Sequence, residues 1–100
     1  MREQESNDKD ARSNWYVYLI RMRNNALYCG ITTNVERRFK QHQQGTGAKA
    51  LKGKGPLTLE WYQRAGNNRS SASKLEYQIK RLSKQKKEQL ITSQQCLMSE

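Results

Sequence analysis

Five side chains have the chemistry to work as a group: Tyr18, Tyr28, Arg38, His42 and Glu76. Four fall in one stretch, which runs Tyr16-Val17-Tyr18, Tyr28-Cys29-Gly30, Arg37-Arg38 and His42. A phenol ionises near pH 10, so a tyrosine that is to take up a proton needs positive charge beside it. Arg38 can supply that charge, and its planar, always-charged guanidinium also suits a phosphate. Singly, each residue has an ordinary structural explanation. Tyr18 and Tyr28 fit as strand aromatics, and Arg38 as a snorkelling surface arginine. His42 fits as a histidine favoured by a helix C-terminus. Glu76 fits as a capping partner of Ser73 or a solvated helix residue. The elements that carry them must decide.

Trp15 to Met22 is rich in aromatic and β-branched residues and predicts a strand. Arg23-Asn24-Asn25 predicts a turn, because Asn tolerates the left-handed region. Leu27 to Thr32 is the second strand of an antiparallel hairpin. Side chains alternate with period two, so Tyr18 and Tyr28 share a face only if paired residue numbers sum to an even value. A two-residue turn splits them; a three-residue loop, Arg23 to Asn25, gives a sum of 48. That register pairs Ile20 with Tyr28 and sets Gly30 opposite Tyr18, where the missing side chain leaves room for the ring.

Thr33-Asn34-Val35-Glu36 matches a capping box, with Thr33 as cap. The helix it opens should run to about Gln43, with Gly45 at its C-terminal cap. Val35, Phe39 and His42 lie on one face, and Arg38 lies on it too; Arg37 and Lys40 point to solvent. Gly45 to Gly55 is a basic, glycine-rich loop with one short helical turn at Ala48 to Leu51. It lacks a Walker ending. Leu57, Leu59 and Trp61 alternate with Thr58, Glu60 and Tyr62 and predict a half-buried third strand. After a loop at Gly66-Asn67-Asn68, a helix from about Ser71 carries the stripe Ala72, Leu75, Ile79 and Leu82, with Glu76 beside it. Ser83 to Lys87 breaks it, and Lys86 to Ile91 forms a last short helix.

The chain has 100 residues, 34% hydrophobic and 28% charged, which fits one small domain. Residues 1–14 and 92–100 read as tails around a domain at 15–91. Lys plus Arg is 19 against 9 acidic residues, a net charge of +10. This points to a polyanion, nucleic acid before anionic membrane. Arg37, Lys49, Lys52, Lys54, Lys80 and Arg81 are the candidate backbone contacts. No apolar run is long enough to span a membrane, and the N-terminal residues lack the apolar region of a signal peptide. Two cysteines, Cys29 and Cys96, make no disulfide framework and point to free thiols in a reducing cytoplasm. With one histidine, a zinc site is a poor match.

Together, Tyr16-Val17-Tyr18, Tyr28-Cys29-Gly30, Glu36 to His42 (Glu-Arg-Arg-Phe-Lys-Gln-His) and Leu75-Glu76-Tyr77 resemble the GIY-YIG nuclease superfamily. The small single-domain YhbQ-like (UPF0213) branch is the most similar, through Tyr-Cys-Gly-Ile-Thr-Thr and Gly-Ala-Lys-Ala-Leu-Lys-Gly-Lys-Gly. The resemblance covers residues 15 to about 91. It implies an α/β (α+β) fold on a three-stranded antiparallel sheet, ordered β-β-α-β-α with a further helix. It also implies an endonuclease that cleaves DNA phosphodiesters with Mg²⁺ or Mn²⁺, in DNA repair or recombination. The family's two tyrosines fall on Tyr18 and Tyr28, its helix arginine on Arg38, its following His or Tyr on His42, and its metal-binding glutamate on Glu76. A single carboxylate suffices for Mg²⁺, which keeps waters and substrate oxygens. Tyr16 replaces the first-triplet glycine, and no Asn follows Asn68. Duplex, branched and single-stranded DNA all remain open as substrates, and no partner protein is deducible. The rival reading is a non-catalytic DNA- or RNA-binding module on the same scaffold.

Overall fold

The computed structural model describes residues 14–93. The expected tails therefore fall outside it, apart from Asn14, Thr92 and Ser93, and so does Cys96. Strand β1 (Trp15–Arg21) pairs antiparallel with β2 (Leu27–Thr32) and, on its other edge, with β3 (Thr58–Gly66). The sheet order is β2-β1-β3. Helix α1 (Val35–Gln44) and a single 3₁₀ turn (Lys49–Leu51) separate β2 from β3; α2 (Arg69–Lys80) and α3 (Lys84–Ser93) follow. This is an α+β fold on a three-stranded antiparallel sheet.

The hairpin register is the one that the three-residue loop predicts. Tyr18 stands opposite Gly30, and Ile20 opposite Tyr28. Asn25 takes a positive φ of 74°, which Asn accepts more readily than most residues. Even-numbered side chains of β1 therefore share one face with Tyr28, and odd-numbered ones share the other with Cys29.

Both faces are buried, each in its own cluster. Val17, Leu19, Cys29 and Trp61 meet Leu75, Ile79 and Leu90 of α2 and α3. On the other face Tyr18, Ile20, Leu51 and Leu57 pack with Tyr28, Phe39 and Leu59. Here the structure corrects the reading of β3. Leu57, Leu59 and Trp61 do not share a face. Leu19 pairs with Trp61, but Ile20 pairs with Leu59, so the ladder skips Glu60. The bulge reverses the alternation and sends Trp61 to one cluster and Leu59 to the other.

Three helix starts also differ from expectation. Asn34, not Thr33, caps α1: its side chain accepts from the Arg37 N–H at 2.9 Å. Glu36 thus sits in the first turn, where its charge suits the helix dipole, without closing a capping box. Asn68 caps α2 by accepting from the Ser71 N–H, so the helix begins at Arg69, before Ser71. The Ser83 hydroxyl oxygen accepts from the Lys86 N–H, and α3 starts at Lys84. The C-terminal cap at Gly45 (φ 82°) is as predicted. Arg21 ties α3 to the sheet: both of its terminal nitrogens donate to Glu88 at 2.7 Å, and Nε donates to Glu60 in the bulge at 2.7 Å. Arg21 and, next, Lys84 hold the Glu88 carboxyl down at about 2.

Candidate active site

Tyr18 sits on the central strand with its ring laid across Gly30. A methyl group at Gly30 would come within 2.6 Å of Tyr18 Cζ, so only glycine leaves this space. The phenol oxygen then lies 2.8 Å from His42 Nε2 on α1. Tyr28 closes the group: its ring centroid is 6.4 Å from that of Tyr18 and 5.7 Å from that of His42. Gly47 plays the same part for His42 that Gly30 plays for Tyr18, since a Cβ there would overlap the imidazole.

His42 is 2% exposed, not a solvated residue at a helix end. The Ala48 N–H donates to its Nδ1 at 3.2 Å. That bond fixes the tautomer: Nδ1 accepts, so in the neutral ring Nε2 carries the proton and donates to the Tyr18 oxygen. Burial, and then the charge of Arg38, lower the His42 pKa to about 4, which keeps the ring neutral near pH 7. Tyr18 thus accepts from His42 and keeps its own O–H proton free for another partner. Burial, and then Tyr28, push the Tyr18 phenol up to about 12, while the neighbouring Arg38 guanidinium works in the opposite direction. Both nitrogens of His42 are engaged, so it is an orienting donor and not an acceptor for the Tyr18 proton.

Arg38 is half-buried, and its Nη1 donates to Gln41 Oε1 at 2.9 Å. It lines a cleft of about 450 Å³ with Arg37 and Arg69, walled by Trp15, Thr32 and Gln41. The Arg69 guanidinium lies 5.9 Å from the centroid of the Trp15 ring. Among the described residues, none of these three arginines has a carboxylate partner within ion-pair distance. Three guanidiniums thus line one polar cleft without a carboxylate partner among the described residues. Arg37 was expected among the backbone contacts; Arg69 and Trp15 were missed. Their separation of 54 positions hides the pairing, although an arginine in the first turn of a helix, where the dipole disfavours it, is a visible signal.

Glu76 stands apart. It projects from the middle of α2, on the opposite side of the sheet from the tyrosines, and is 22% exposed. Lys80 Nζ pairs with it at 3.3 Å. Its charge is felt by Cys29, whose thiol is raised to about 12 first by burial and next by Glu76. Cys29 lies between Tyr28 and Gly30, so Glu76 flanks edge strand β2 from one side and the tyrosine cluster flanks it from the other. The structure brings Tyr18, Tyr28, Arg38 and His42 together; Glu76 is across the strand. As a hard oxygen donor with one ammonium neighbour, it fits a hard divalent cation that keeps most of its waters. Among the described residues, no three His, Cys, Asp or Glu side chains gather. Of the other basic candidates, Lys49, Lys52 and Lys54 are exposed on the loop after α1. Lys80 is committed to Glu76, and Arg81 lies against the Tyr77 ring at 5.5 Å.

A sheet carrying paired tyrosines, with an arginine and a histidine on the next helix, defines a class. Residues 14–89 match the GIY-YIG catalytic domain model, and the chain belongs to that family, which places it in a nuclease superfamily acting on nucleic acid. Within the family it is similar to UPF0213 proteins. One from Vibrio cholerae is 63% identical over 79 residues, 79% of this chain and 78% of that protein. UPF0213 protein YhbQ of Salmonella arizonae is 56% identical over 85 residues, 85% of this chain and 84% of that protein. A UPF0213 protein from Bacillus halodurans, solved by solution NMR, superposes with a TM-score of 0.50 at 40% identity, over 79% of this chain and 83% of that one. Among the described residues, no helix is long and apolar enough to cross a membrane.

Proposed function

We propose that the chain is a metal-dependent endonuclease that hydrolyses DNA phosphodiester bonds, in DNA repair or recombination. The observation that carries this reading is the chain of hydrogen bonds from Ala48 N–H to His42 to Tyr18. It holds a phenol with its proton free and with a donor already aimed at the oxygen. Tyr18 takes the proton of the attacking water in its phenolate form, which His42 N–H and the Arg38 charge stabilise. Tyr28 positions water or phosphate. Arg38, with Arg37 and Arg69, neutralises the phosphate oxygens as negative charge builds on them. Glu76 would hold Mg²⁺ or Mn²⁺ beside the β2 edge. When bound, such an ion supplies Lewis-acid polarisation of the phosphoryl group and stabilises the leaving oxygen. The buried, unpaired Cys29 agrees with a reducing cytoplasm.

One observation favours a second reading, a nucleic-acid-binding module without turnover. Tyr18 is 2% exposed and its pKa is raised, which disfavours the phenolate. Labelled duplex, flap and junction DNA, incubated with and without Mg²⁺, separates the two. The enzyme reading expects Mg²⁺-dependent nicks, lost in Glu76→Ala and reduced about 10²- to 10⁴-fold in Tyr18→Phe. Binding without cleavage under every metal would establish the second reading.

A further inference from the structure

Beside the tyrosine cluster the same sheet face carries a second aromatic pair. Tyr62 pairs with Tyr18 across the β1–β3 ladder, and Tyr16 lies two residues before Tyr18 on β1. Their rings meet edge to face, with centroids 6.2 Å apart and planes at 74°. A buried pair of this kind would be core packing, but Tyr62 is 56% exposed. With Val35, Phe39 and Leu59 the pair lines an open groove of about 520 Å³ between α1 and β3. An apolar ring left in water at the centre of a small domain is a cost unless something covers it.

Four features say what covers it. The chain carries a net charge of +10, which favours a polyanion over an apolar peptide. Arg64, on the same face and paired with Tyr16, is held by the neutral side-chain oxygens of Asn14 and Asn67, so its charge stays available to a phosphate. Thr33 lines both this groove and the arginine cleft, so the two are continuous around the start of α1. Glu36, the acidic residue on the groove wall, turns phosphates away and can accept from an exocyclic amino group of a base. A backbone following the arginines would therefore leave a flanking base at the aromatic groove.

Resting on the nuclease reading above, we infer that Tyr16 and Tyr62 form a shelf on which one unpaired nucleobase stacks beside the scissile phosphate. Stacking needs a free base face, which a continuous duplex does not offer. The substrate class is single-stranded DNA, or DNA with unpaired nucleotides next to the cut.

The test uses the whole protein in EDTA, so that binding is read without cleavage. The probes are a single-stranded oligonucleotide with one 2-aminopurine and its fully paired duplex. Wild-type protein is expected to quench the 2-aminopurine of the single strand. Tyr62→Ala is expected to lose the quench and to bind the single strand about 5- to 100-fold more weakly. Tyr62→Phe, which keeps the ring, is expected to restore both. A single strand held as tightly by Tyr62→Ala as by wild type, or a wild type that prefers the duplex, overturns the shelf. Intact stacking with no cleavage under any metal leaves the shelf standing and removes the nuclease reading. Cleavage of continuous duplex as fast as of gapped DNA removes the shelf and leaves the nuclease.

Discussion

His42 is the chain's one histidine, which makes its burial measurable by pH alone. Unfolded, it titrates near 6.5; folded, its pKa is lowered to about 4. The unfolded state therefore binds the proton first. Stability is full above about pH 6.5 and is lost as pH falls toward 4, because protonation pulls the equilibrium to the unfolded side. At pH 5 the unfolded ring is almost fully charged and the folded ring almost fully neutral, which amounts to a loss of about 2 kcal/mol relative to pH 8. For a domain of this size that lowers Tm by about 8–16 °C. Between pH 5 and 7 few carboxylates titrate, so the slope belongs to His42. Thermal or urea unfolding at half-unit steps from pH 8 to 5 measures it, and the imidazole NMR signal of the folded state gives the midpoint directly. His42→Gln should flatten the slope. A folded-state midpoint above 6, or an equal slope in the variant, would refute the buried neutral ring and with it the donor assigned to Tyr18.

Gly30→Ala places a methyl against the Tyr18 ring; it should destabilise by about 1–3 kcal/mol and cut turnover about 10²-fold by moving the phenol. Chemical denaturation and a cleavage assay read the two effects. Arg69→Ala should weaken DNA binding and reduce the slope of log K against log salt by about 1, as expected for one lost phosphate contact. An unchanged slope from salt-dependent anisotropy would take Arg69 out of the cleft. The pairing of Glu88 with Arg21 is present above the ordinary carboxylate range and is lost as pH falls through about 2. Arg21→Ala should move the acid-unfolding midpoint upward, which circular dichroism follows.

Where local chemistry alone decides geometry, the sequence was readable. The three-residue loop sets the parity that puts Tyr18, Tyr28 and Gly30 on one face. The i, i+4, i+7 spacing of Val35, Phe39 and His42 turns the histidine inward, whereas the break expected over Ser83 to Lys87 falls earlier, at Arg81 to Ser83. Features set by pairing were not readable. A strict alternation from Leu57 to Trp61 gives no warning of the bulge at Glu60, which exists only in the register against β1. Thr33 and Asn34 are both good caps, and the chain path chose the second. The arginine cleft and the Tyr16–Tyr62 pair join residues about fifty positions apart, so neither leaves a local pattern.

Tyr18 belongs to the middle strand, bonded to a neighbour on each side. Its amide lies inside the ladder, so swinging of a loop does not solvate it; a neighbouring strand has to detach from β1. Hydrogen exchange at Tyr18 should therefore be far slower than at the turn amides of Asn24 and Asn25. The strand that carries the Tyr18 phenol is thus the last part of the cluster to open, whereas Tyr28 on edge strand β2 and His42 on α1 leave it by smaller openings.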